Sequence, residues 1–253
     1  MDNIASYFTS SSLRRSSPAI FQVPPTLPVT LENGNGELLL HQREMRVNDK
    51  TGDLRVFLRE VKSAGIPPAT HRNIFHILGG SGEVTMNQQK TSLDEGSLVV
   101  TPPGTSAFFE AKRTLRILQI SVPDIFPVVA EEPFATHSRK QPVEMSVCGF
   151  KSFLHVLRTP DGEGAHVALL DITGAPRHMH KYTLEYYYFL NEGIINLDGT
   201  DHQVTKGSMV ILPPGVVHAA RSLSPGTSTL AYMGYFPPLL YRGQELRDEY
   251  LIN

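Results

Sequence analysis

Residues 174–197 read G-A-P-R-H-M-H-K-Y-T-L-E-Y-Y-Y-F-L-N-E-G-I-I-N-L, and residues 207–218 read G-S-M-V-I-L-P-P-G-V-V-H. His178 and His180 stand two apart, and in a strand such residues point to one face. After four intervening residues comes Glu185, inside an apolar, aromatic run that reads as a second strand. His218 follows a Pro-Pro-Gly turn at the end of a third apolar run, Met209 to Leu212. Three imidazoles and one carboxylate can thus converge from neighbouring strands. Imidazole nitrogen with carboxylate oxygen suits Fe, Mn, Ni, Cu or Zn better than Ca or Mg. One such residue alone is usually structural; four at strand-compatible spacing make a candidate metal site.

The pattern H-x-H-x4-E followed by G-x5-P-x-G-x2-H resembles the paired motifs of the cupins. The second motif is matched at Gly207, Pro213, Gly215 and His218, the first at His178, His180 and Glu185. The edges of the first depart from the family pattern. Gly174 leads His178 by four positions where the family usually has six, and seven residues, not six, separate Glu185 from Gly193. The resemblance implies a small antiparallel barrel or jelly roll. It also implies one divalent metal ion held by His178, His180, Glu185 and His218, with Fe or Mn favoured and Zn or Ni also accommodated.

The chain has 253 residues, 40% of them hydrophobic and 19% charged, so a proper core is expected and global disorder is not. Twenty glycines and nineteen prolines suit many turns between short strands. The net charge of −2 carries no long basic run, which argues against nucleic acid as a partner. No apolar stretch approaches the eighteen residues of a membrane span. Cys148 is the only cysteine, which excludes an intramolecular disulfide and fits a reducing compartment; a cytoplasmic protein is expected.

Residues 1 to about 30 differ in kind. Six serines fall in the first twenty positions, and Pro18, Pro24, Pro25 and Pro28 follow. This reads as an extended arm that packs on its own barrel or on a partner subunit. Serine and arginine with few acids also describe a transit peptide, but no clear amphipathic helix accompanies them. From Glu37 to Val122 short apolar runs alternate with turn residues, as in an all-β sandwich or barrel. Prolines 123, 127, 133 and 142 mark a link near residues 123–141. Lys151–Leu157 and His166–Ile172 read as strands, with a turn over Thr159–Gly164 between them. Thr227–Tyr235 reads as a last core strand, and Gly243–Tyr250 is the best short helix candidate.

Sliding the sequence by 111 positions superposes Gly82 on Gly193, Gly96 on Gly207 and Pro102-Pro103-Gly104 on Pro213-Pro214-Gly215. Asp198-Gly199 is a strong two-residue hairpin signal, and Asn87-Gln88 in the first copy a weaker one. Two similar β units resemble a bicupin. The expected organisation is all-β, two tandem cupin-type (jelly-roll) β-barrels: an arm over 1–30, a first barrel over 31–125 and a second over 126–253. In the same register His178, His180, Glu185 and His218 fall on Pro67, Ala69, Ile74 and Ala107, so the first barrel is expected to be metal-free. A gap would bring His71 nearer the position of His178, with Asn73 two residues on. His71 and His76 are read as ordinary polar or core residues.

Four protein ligands on a six-coordinate metal leave up to two positions open, the mark of a catalytic rather than structural site. Alternation places Tyr187 and Phe189 on the same face as Glu185. Tyr187 is then a candidate to hydrogen-bond a substrate, or else a core aromatic. Met209 and Ile211, or instead Val210 and Leu212, form the apolar wall. Arg177 is a candidate clamp for a carboxylate, or else a solvated strand-end charge. Lys181 is a lesser candidate, and His166 reads as structural. The resemblance favours a dioxygenase-type enzyme acting on a small polar or aromatic molecule. A non-redox isomerase, lyase, cyclase or aminohydrolase and a non-catalytic binding protein are the alternatives. Exposed sheets and an arm are compatible with a homodimer.

Overall fold

A computed structural model describes residues 19–22, 30–31, 34–47, 50–125, 132–145, 150–156, 165–181, 183–236 and 249–252. Among these residues the regular structure is twenty β-strands and one short 3-10 segment, Ser138–Lys140. The chain divides into two units. One comprises Thr26–Met45 and Asp49–Lys140; the other comprises Gln141–Asn253 with Met1–Pro25 and Arg46–Asn48. The division falls at Lys140 because Phe134–His137 is hydrogen-bonded to the Ser97–Thr101 strand, Ala135 lying opposite Val99. Cys148, residues 126–131 of the expected link and the turn over Thr159–Gly164 lie outside the described residues. No helix among the described residues is long and apolar enough to cross a membrane.

In the N-terminal unit three long strands carry the core: Lys50–Ile66, His71–Met86 and Ala107–Pro123. Their ladders shift register between Val61 and Ser63, and again at Gly79, Ser81 and Gly82. Such bulges bend and twist a strand, which lets residues far apart along it face one interior. Phe75 and Phe109 meet there edge to face, ring centroids 5.1 Å apart. Val61, Ile77, Val84, Val99, Leu115 and Ile117 complete this core.

The C-terminal unit has a seven-stranded and a five-stranded antiparallel sheet. The larger sheet centres on Leu184–Phe189, paired with Ser208–Leu212 on one side and Thr229–Phe236 on the other. Ala19–Gln22, within the stretch read as an arm, adds an edge strand against Ser208–Ile211. The smaller sheet holds His178–His180 between His218–Arg221 and Glu249–Leu251. The last of these overturns part of the expected tail helix: residues 243–248 lie outside the described residues, but 249–251 are extended and paired.

The hairpin turns fold as their residues dictate. Asp198 and Gly199 have φ of 49° and 93°, the left-handed pair of a tight hairpin. Asn87 and Gln88 make the equivalent turn at 46° and 65°. A side chain at the second position is costly there, by about 1–2 kcal/mol, partly offset by glycine's larger chain entropy of about 0.5–1 kcal/mol. Gln88→Gly is therefore expected to stabilise the chain by about 0.5–1 kcal/mol, read from the denaturant midpoint.

The repeat is visible in the hydrogen bonds of the two units. Gly104 N–H donates to Ala69 O at 2.9 Å, as Gly215 N–H does to His180 O at 2.7 Å. Asp94 N–H donates to Ser97 Oγ, as Thr205 N–H does to Ser208 Oγ, both at 3.0 Å. Between these points the ungapped register slips. Glu185 pairs with Leu212, but Thr101 pairs with Asn73 rather than Ile74. A one-residue slip exchanges the two faces of a strand, and the bulges at Gly79–Gly82 restore the register. Asn73, not Ile74, thus takes the place of Glu185. Likewise Ile66 pairs with Ala107 as His178 pairs with His218, so Ile66 rather than Pro67 matches His178.

Candidate metal centre

His178 and His180 flank Met179 on a three-residue strand, and both imidazoles are buried. His218 opens the neighbouring strand directly opposite His178. The potential ligand nitrogens of the three rings all lie within 4.8 Å of one another. Glu185 comes from the other sheet, with Oε2 3.0 Å from His218 Nε2 and 3.5 Å from His180 Nε2. The four residues singled out from spacing are therefore brought together inside one unit.

Carbonyl groups orient two of the rings. His178 Nδ1 lies 2.9 Å from Pro176 O, and His218 Nδ1 lies 3.1 Å from Val216 O. A carbonyl can only accept, so each Nδ1 carries the proton and each neutral ring presents the Nε2 lone pair. His218 Nε2 then faces Glu185 Oε2 with two acceptors in contact, and neither atom has a hydrogen-bond partner. Two buried lone pairs at 3.0 Å repel unless a proton or cation lies between them. This arrangement, three imidazoles and a carboxylate converging on one point, fits a divalent transition metal.

The electrostatics agree. Burial alone would push the Glu185 carboxyl upward; its close contact with His218, with His180 and His178 beside it, outweighs this and holds the group down at about 2. Burial pulls His178 below the ordinary imidazole value, and His218 adds to this, while Glu185 and the Pro176 carbonyl act against it. Both shifts preserve the ligand forms, neutral imidazole and ionised carboxylate. For each group the folded-state value is depressed. The associated stability is present above the unfolded values, about 6.5 for His and 4.3 for Glu, and is lost as pH falls through the folded values. Metal occupancy is therefore expected to be flat from about pH 7 upward and to fall below about pH 6.5, as measured by dialysis and elemental analysis across pH. A midpoint above that value would contradict the lowered His178.

Tyr187 is buried, and its hydroxyl donates to Glu185 Oε1 at 2.7 Å. It steadies the carboxylate so that Oε2 faces the imidazoles. Tyr187→Phe is expected to weaken metal binding by about 10–100-fold, the usual effect of losing an outer partner, measured by chelator competition. Unchanged affinity would show that packing alone orients Glu185. Val210 and Leu212 form the apolar wall rather than Met209 and Ile211: Val210 lies opposite Tyr187, Leu212 opposite Glu185, and both pack in the same core cluster as Tyr187.

Arg177 is not brought to the cluster. Its side chain is exposed, and Nη2 stands 3.8 Å from where a Cβ on Gly199 would be. Lys181 is exposed as well. His166 stacks on Tyr235 at 4.9 Å between ring centroids, and Tyr235 meets His180 edge to face at 5.0 Å. Tyr235 is the neighbour that spacing did not single out. The signal was present, since alternation along Thr227–Tyr235 sets it on one face with Met233 and Ala231.

No family model and no curated protein sequence matches this chain. Solved structures do. A cupin 2 conserved barrel domain protein from Leptotrichia buccalis matches with TM-score 0.61 and 14% identity, over 86% of this chain and 96% of that one. The E. coli protein Ylba matches with TM-score 0.62 and 15% identity, over 86% and 90%. A substituted variant of oxalate decarboxylase from Bacillus subtilis matches with TM-score 0.59 and 13% identity, over 92% and 79%. These likenesses are ones of fold: the chain has a cupin-type fold.

Proposed function

We propose that this chain is a metal-dependent enzyme with a single centre held by His178, His180, Glu185 and His218. It acts on a small polar or aromatic molecule, in an oxygen-using, dioxygenase-type reaction. The observation that carries the proposal is the buried contact of two acceptors, His218 Nε2 and Glu185 Oε2, at 3.0 Å. A bound Fe or Mn ion would supply Lewis-acid and redox chemistry there; Zn would supply the first alone. The chain's own residues bind and orient it. Pro176 and Val216 carbonyls set the imidazole tautomers, and Tyr187 holds Glu185. Leu170, Val210, Leu212 and Met233 line the interior with apolar surface that excludes water. Arg177 has no part in this proposal.

A second reading, a non-redox lyase, is favoured by the likeness to oxalate decarboxylase, whose name states a reaction on a small carboxylate. The test is elemental analysis followed by oxygen-uptake measurements on anaerobically Fe(II)-loaded protein with phenols, keto acids and diketones. One equivalent of metal with substrate-dependent oxygen uptake supports the first reading. One equivalent without oxygen uptake supports the second. No metal after reconstitution overturns both.

A further inference from the structure

The two units distribute polarity in opposite ways at equivalent positions. In the N-terminal unit the four places of the metal cluster are taken by Ile66, Ala69, Asn73 and Ala107, and Thr101 stands where Leu212 does. The apolar wall is replaced in turn. Arg59 pairs with Ile117 as Leu170 pairs with Ala231, and Gln119 pairs with Phe75 as Met233 pairs with Tyr187. The unit that lacks imidazoles and a carboxylate at these four places carries a guanidinium, two amides and a hydroxyl on its inner face.

These groups form an oriented chain. Arg59 Nε donates to Gln119 Oε1, and Gln119 Nε2 donates to Asn73 Oδ1 at 2.9 Å. That direction leaves the Asn73 amide N–H groups and the two terminal nitrogens of Arg59 as donors. Asn73 and Gln119 are buried, and Arg59 is half-buried with its Cζ 4.7 Å over the Phe57 ring. Among the described residues no carboxylate pairs with Arg59. Thr101, directly opposite Asn73, is wholly buried, and its hydroxyl has no hydrogen-bond partner. Burial lowers the Arg59 pKa, as expected for a cation without an anion beside it.

A half-buried guanidinium fork beside amide N–H groups and a hydroxyl free to donate is complementary to a planar anion. We propose that the N-terminal unit holds a small carboxylate anion between Arg59, Asn73 and Thr101, independently of the metal centre. The Phe57 ring and the Phe75 core beneath offer it an apolar floor.

The test is calorimetric titration of the metal-free full chain with acetate, lactate and benzoate, and with acetamide and benzamide as uncharged counterparts. At least one carboxylate is expected to saturate one site per chain, and neither amide to do so. Arg59→Leu is expected to weaken that binding by about tenfold or more. It should still fold, because leucine occupies the equivalent position of the other unit. Thr101→Val, isosteric and without the hydroxyl, provides a second test with a smaller loss in the same direction. His218→Ala should leave carboxylate binding unchanged. Absence of saturable binding by all three carboxylates, wild-type affinity in both Arg59→Leu and Thr101→Val, or loss of binding in His218→Ala would each overturn the proposal.

Discussion

His218→Ala is expected to abolish metal loading while leaving the β framework in place. His218 contributes the ring that lies opposite His178 and closest to Glu185, at 3.0 Å. Removing it deletes one ligand nitrogen, the one that stands nearest Glu185. Loss of an outer partner alone typically lowers metal affinity 10–100-fold, so loss of this ring should exceed about 100-fold. The fold should tolerate alanine, because Ala107 already fills the equivalent position in the N-terminal unit, buried and paired with Ile66. Elemental analysis of the purified variant, with circular dichroism for the framework, reads both halves of the expectation. His71→Ala and His76→Ala are the controls. His71 contacts Thr70, and His76 is buried next to Phe75 on the opposite face of its strand, so metal content should not change in either. Full occupancy in His218→Ala would remove the ligand assignment.

Gly234→Ala is the change expected to damage the fold most. Gly234 lies opposite Tyr186 in the larger sheet of the C-terminal unit. A Cβ there would stand 2.3 Å from Tyr186 Cε1 and 2.6 Å from Phe236 Cε2. Both rings are wholly buried and cannot swing aside. Overpacking of this kind costs about 1–3 kcal/mol, and two immovable rings place the loss near 3 kcal/mol. For a domain of this size that is roughly a 6–12 °C fall in melting temperature. Gly79→Ala provides the contrast, since nothing lies within 4 Å of its added Cβ. A melting temperature unchanged in Gly234→Ala would mean the sheet opens locally to admit a methyl group.

The ligand set was legible because its residues obey local rules. Period-two spacing joins His178 to His180, and an apolar run carries Glu185 onto a central strand. The glycine and proline turns were equally direct: Asp198-Gly199 folds as its residue types require, and the same turn over Asn87-Gln88 follows despite a poorer residue at its second position. The tail was less legible. Charged residues over Gly243–Tyr250 suggested helical periodicity, yet Glu249–Leu251 completes the sheet beside His178–His180. An extended partner with unsatisfied backbone groups overrides a weak local preference.

The sequence by itself determined that the chain is all-β, that it repeats after about 111 residues, and which four residues could bind a metal. Each of these is encoded in short-range spacing, where strand alternation and turn chemistry act within a few residues. Only the tertiary structure decided that Asn73 replaces Glu185, that Val210 and Leu212 rather than their neighbours face inward, and that Tyr187 holds the carboxylate while Arg177 turns away. It alone linked Arg59 and Gln119 to Asn73 and set Thr101 opposite Asn73. The reason is physical: a single bulge or one-residue slip exchanges the two faces of a strand, and where it falls is settled by packing between strands distant in sequence.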